Sequence, residues 1–219
     1  MPELACPTYS IQEKFVSITA IHEMIKRAKD HEQKHKNLAQ LLEQHIENNE
    51  YSGIKLPDDD ATTGLVRFVT AYIEHVPKFI EATHNITSSA GILMHASPFI
   101  ELAEAYFLKP PSIVAGHVGL DELMYEAYLA HRLMEEVNDR FMVRTSVPLI
   151  PMDMTKSNLI IHTLIGEPFA NELDEAVHYT TERAMIREHV YSSEAFLAYV
   201  DQHVDNHWEN EIKHWPCLI

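Results

Sequence analysis

The chain has 219 residues, 23% charged and 46% hydrophobic, with a formal net charge of −16 at pH 7. That is room for one domain with a continuous core, in ordinary globular proportions that exclude disorder. The charge repels phosphate backbones and anionic lipid, so neither nucleic acid nor membrane is expected as a partner.

Helical periodicity runs almost throughout the chain, and period-2 alternation is nearly absent. A first helix is predicted over 10–50, with Ile11, Phe15, Ile18 and Ile25 on one stripe that Leu38, Leu42 and Ile46 continue. A second runs from about 60, where consecutive aspartates suit a helix N-terminus, to about 84, with a kink at Pro77. The third comes in pieces, since Ser97-Pro98 reads as a cap and first helical position, and Pro110-Pro111 stops it. A fourth spans 120–142, and VRTSVPLIPMD at 143–153 is the one extended segment. A short apolar helix (155–165) and helices over 168–190 and 193–214 complete the chain. The predicted fold is a single all-α domain over 1–219, a bundle of six or seven helices.

Cys6 and Cys217 lie at opposite ends and form no metal-type pair. The opening MPELACPTYS lacks the basic and apolar regions of a signal peptide, and no apolar run approaches membrane-spanning length. A cytoplasmic protein is expected. Phosphate-binding glycine loops, dinucleotide fingerprints and the G-x-S-x-G elbow are missing, and neither cysteine sits beside a plausible base. What stands out is histidine, with 15 copies.

Residues 31–35 read HEQKH, the H-E-x-x-H pattern of zinc proteases. With about 100° of turn per residue, Glu32 and His35 fall within roughly 30° of the core-facing line, and His31 falls about 70° off it. The inward pair is therefore Glu32 and His35, an E-x-x-H spacing. It resembles the ligand pairs of ferritin-like di-iron proteins, which implies a metal centre inside the bundle with a second such pair. The chain repeats the spacing at Glu81/His84, Glu175/His178 and Glu211/His214. The Glu175 row (with His178, Glu182 and His189) lies opposite the inward side set by Phe169, Leu173, Val177 and Thr180, and is predicted to be solvated. Glu101 and Glu104 are likewise expected to point away from the core.

Antiparallel helices are level where their residue numbers sum to twice the number at the turn. On that basis His35, His75, His95 and His131 share one layer, each on or beside its apolar stripe, with Glu32 and Glu135 next to them. Imidazoles with carboxylates are donors for iron, zinc or copper. Tyr72 or Tyr128 could supply a nearby hydrogen bond. A second candidate is His207, Glu211 and His214, with His203 on the same flank. H-x3-E-x2-H resembles the H-x3-D-x2-H motif of haem-oxygenase-like di-iron oxidases, with Glu in place of Asp and no helix left to follow it. The expected function is a metal-binding bundle, a non-haem iron oxidoreductase acting on a small molecule. The alternatives are a metal-free interaction protein with an acidic surface and a bundle binding haem through paired histidines.

Overall fold

The centre of the molecule is a helix that is buried on nearly every side. In the computed structural model, which describes residues 11–48, 50, 51, 53, 54, 56, 60–114, 119–150, 152–185 and 194–203, every residue from Leu123 to His131 is buried. The stretch LMYEAYLAH carries apolar side chains all around the helix, which is the pattern of a buried rather than a surface helix.

The described residues form eight α-helices. These are α1 (Ile11–His35), α2 (Asn37–Glu47), α3 (Ala61–Ser89), α4 (Leu93–Leu108), α5 (Leu120–Thr145), α6 (Thr155–Ile165), α7 (Glu167–Met185) and α8 (Glu194–His203). A 3₁₀ turn over Ser112–Val114 precedes α5. The central helix, α5, packs against α1, α2, α3, α4, α6 and α7. Its Met124, Ala127 and Met134 meet the stripe of Leu65, Phe68, Tyr72 and Phe79 on α3 within one continuous core.

The number of helices exceeds the expected six or seven because the first predicted helix is two. Lys36 takes a left-handed conformation (φ 60°, ψ 30°) and separates α1 from α2. Its side chain makes no cap; instead Glu32, in the last turn of α1, accepts the Leu38 and Ala39 backbone N–H groups at 2.9 and 3.0 Å. Those are two of the four N–H groups that a helix start leaves without partners.

Asp60 caps α3 as the aspartate run suggested, its Oδ1 accepting the Thr63 N–H at 3.0 Å. The helix continues through Pro77 to Ser89. It ends at Gly91 (φ 72°), where Ile92 N–H reaches Thr87 O and Gly91 N–H reaches Ser88 O. This Schellman closure needs a left-handed residue, hence the glycine. The fourth helix begins at Leu93, so Ser97-Pro98 lies inside it rather than at its start.

Among the described residues there is no strand, and the expected extended segment at 143–153 is helix to Thr145 and then loop. Its backbone is paired by a side chain. Asn138 donates to Ile150 O at 2.9 Å and accepts from Ile150 N–H at 3.0 Å. No helix is long and apolar enough to cross a membrane among these residues.

Candidate metal centre

Two of the predicted ligands come together. His75 of α3 and His131 of α5 meet with Nδ1 and Nε2 2.8 Å apart, their rings nearly parallel at 9°. His131 is 0% exposed, and its Nδ1 lies 2.8 Å from the Ala127 carbonyl oxygen. A carbonyl only accepts, so His131 Nδ1 carries the proton and, in the neutral ring, Nε2 has the lone pair. His75 Nδ1–H then donates to it, which leaves the His75 Nε2 lone pair facing away.

Burial, with a smaller contribution from Lys78 one turn on, pushes the His75 pKa down to about 4. Burial, reinforced by the His75 ring, holds His131 well below the ordinary histidine range. Both rings are therefore neutral near pH 7, the form that ligates metals.

A polar network surrounds the pair. The Tyr72 ring packs on His131 at 4.2 Å between centroids, and its hydroxyl donates to Asn158 Oδ1 at 2.6 Å. Asn158 Nδ2 in turn donates to Glu135 Oε2 at 2.6 Å. Glu135 also receives the Thr155 hydroxyl at 2.8 Å and the Arg132 guanidinium. Arg132 Nε donates to Asp174 Oδ1 at 2.9 Å, and Tyr128 donates to the same oxygen at 3.0 Å. Burial raises both phenols above the ordinary tyrosine range, so they stay protonated donors. The network joins α3, α5, α6 and α7.

The rest of the predicted layer is not assembled. Glu32 is buried but spent on capping α2. His35 is exposed, because α1 ends there, and its ring lies 4.3 Å from that of His31. The inward direction expected for His35 assumed a helix continuing to residue 50. His95 turns its ring edge-on to Phe196 of α8, 6.1 Å away. Glu135 sits one turn from His131 but is held by Arg132, Asn158 and Thr155.

Among the described residues no group of three or more histidine, cysteine or acidic side chains is placed to hold a metal ion. His207, Glu211 and His214 lie outside the described residues, as does the side chain of His203. The solvated row on α7 is as expected at Glu175, His178 and Glu182. Glu104, expected in solvent, is instead 6% exposed.

Direct contact between the ring nitrogens gives the haem reading no support. Axial imidazoles on one iron stand about 4 Å apart, two metal–nitrogen bonds of roughly 2 Å, with the macrocycle between them. Two cis ligands of a single ion, at the same bond length, stand about 2.9–3.3 Å apart. The observed 2.8 Å is close to that bite.

Asn158, Arg132 and Asp174 were not singled out from the sequence. A signal for Arg132 existed: Tyr128, Arg132 and Glu135 recur at helical spacing along one face of α5. Asp174 and Asn158 carry none, since their roles depend on where α6 and α7 dock.

Comparison with protein-family models, curated proteins and solved structures finds no match to the chain.

Proposed function

We propose that this all-α bundle binds a transition-metal ion through His75 and His131. The observation that carries the reading is the 2.8 Å approach of two ring nitrogens from different helices in the core. Moving the His75 proton from Nδ1 to Nε2 leaves two lone pairs, and turning each by roughly 35–45° off the line between the nitrogens aims both at one ion. No net proton is released. The hydrogen bond from His131 Nδ1 to Ala127 fixes the tautomer and ring angle, as outer-shell partners of ligating histidines commonly do.

Two imidazoles are one donor short of the two-histidine, one-carboxylate set of non-haem iron oxygenases. A bound iron would supply the oxidative chemistry toward a small molecule that the sequence suggested. The chain's own part is to hold two neutral nitrogens in place and to keep Tyr72 packed over His131.

The test is metal analysis of protein purified without chelators, together with thermal melts after adding iron, zinc or copper. An ion held at 100 times its dissociation constant adds about 2.7 kcal/mol to stability. His75→Ala is expected to abolish both the bound metal and the metal-dependent rise in melting temperature. His31→Ala, and the double change His207→Ala with His214→Ala, should leave both intact.

A second reading is favoured by the fact that the facing nitrogens already satisfy each other without metal. If no stoichiometric metal is found and no added ion raises the melting temperature, the pair is a structural hydrogen bond. The chain is then a metal-free interaction protein whose acidic surface docks a basic partner.

A further inference from the structure

The surface of this acidic chain holds a basic cleft on the side where α1 meets α3. The cleft has a volume of about 450 Å³ and is lined by His22, Ile25, Lys26, Lys29, Asp30, Glu74 and Lys78. The α1 residues recur at 22, 25, 26, 29 and 30, one helical stripe, and Glu74 and Lys78 stand one turn apart on α3.

Acidic residues outnumber basic ones by 33 to 17 in the chain, yet three ammonium groups face two carboxylates here. Lys29 is neutralised by Glu74, its Nζ 2.5 Å from the carboxylate. Lys26 and Lys78 make no ion pair among the described residues, and they stand on opposite walls. The floor is apolar, since Ile25 is buried while Lys26 and Lys78 are exposed.

We infer that the cleft between α1 and α3 binds a small oxyanion, phosphate or carboxylate, clamped between the Lys26 and Lys78 ammonium groups. Two point charges on separate, packed helices are held apart by the fold, so an anion between them gains from both without ordering the backbone. The net charge of −16 weakens anion binding generally, so binding here rests on the local excess of ammonium groups. Asp30 at the rim limits the negative charge the site accepts and favours a compact, singly charged group over a polyanion. The Lys29–Glu74 pair keeps Lys29 from serving as a third clamp.

The experiment titrates the full chain with inorganic phosphate and, separately, with acetate at low ionic strength, followed by the NMR signals of α1 and α3. Saturable shifts confined to residues lining the cleft are expected, for phosphate if the ligand is a phosphoryl group and for acetate if it is a carboxylate. The double variant Lys26→Gln with Lys78→Gln should weaken the binding about tenfold or more, a loss of about 1.4 kcal/mol. Lys34→Gln, an exposed lysine outside the cleft, should leave it unchanged. Circular dichroism of each variant checks that it is folded. No saturable shift with either anion, or binding that survives in the double variant, overturns the inference.

Discussion

Glu126 is 1% exposed, and its Oε2 has no hydrogen-bond partner among the described residues. Burial, and then the negative charge of Glu122 one turn earlier, raise its pKa to about 8. The folded state therefore holds a proton that the unfolded chain releases near pH 4.5, the ordinary value. Because the folded state binds more protons in this window, stability is highest below the unfolded pKa and falls as pH rises through the folded one. Each pH unit between them costs up to about 1.4 kcal/mol.

Glu126→Gln keeps the shape and removes the titration. The variant should be more stable than the parent at pH 7–8 and nearly equal to it at pH 4, as read from denaturant midpoints. A stability difference independent of pH would show that the carboxyl is not held protonated above its ordinary range in the folded state. The helical spacing of 126 and 131 puts Glu126 on the flank of α5 opposite His131. Depth was not legible, because a flank is wet only when no neighbouring helix covers it. Both flanks of α5 are covered.

The joint between α1 and α2 is where element-level reading failed, for a physical reason. The apolar positions Ile25, Leu38 and Leu42 lie on both sides of Lys36, and no glycine or proline marks a turn there, although Asn37 follows it. One left-handed lysine breaks the helix at a cost of roughly 1–2 kcal/mol. The Glu32 carboxylate offsets it by satisfying the first N–H groups of α2. A side chain six and seven residues away from the groups it caps leaves no local signature. The Gly91 closure of α3, by contrast, is written in the sequence by its glycine.

Two substitutions separate the terms at the joint. Lys36→Gly removes the left-handed penalty and should raise stability by up to about 1 kcal/mol, because glycine adopts this conformation freely. Glu32→Ala leaves the α2 N–H groups uncapped and should lower stability by about 1–2 kcal/mol. Neither should change metal content. A large loss of bound metal on Glu32→Ala would return Glu32 to the ligand set. Urea denaturation with parallel metal analysis reads both.

At the scale of the molecule, the helical class was legible because nearly every segment carries a 3.6-residue period. Equal height along the helices was legible too, and it brought His75 and His131 together correctly. Height does not say which way a side chain turns about its axis. His95 sits on α4, which also packs on α5, yet its ring faces Phe196 of α8. The docking of α6 and α7 onto α5 was not legible at all, and it supplies Asn158 and Asp174.

Those two residues join the bundle's halves. Asn158 connects Tyr72 on α3 with Glu135 on α5, accepting from the first and donating to the second. Asn158→Ala strips a partner from a buried phenol and from a carboxylate. Glu135 keeps Arg132 and Thr155, so only the phenol is orphaned, and a loss of about 1–3 kcal/mol is expected. If Tyr72 is first changed to Phe, the orphaned hydroxyl is gone, and Asn158→Ala should then cost less by about 0.5–3 kcal/mol. A double-mutant cycle by chemical denaturation measures that coupling directly. Zero coupling would mean that the Tyr72–Asn158 contact does not tie α3 to α6, and that Tyr72 is held over His131 by packing alone. The Tyr72→Phe variant keeps its ring at His131, so it should retain metal while losing the coupling. Loss of metal in that variant would instead make the phenol hydroxyl part of the site.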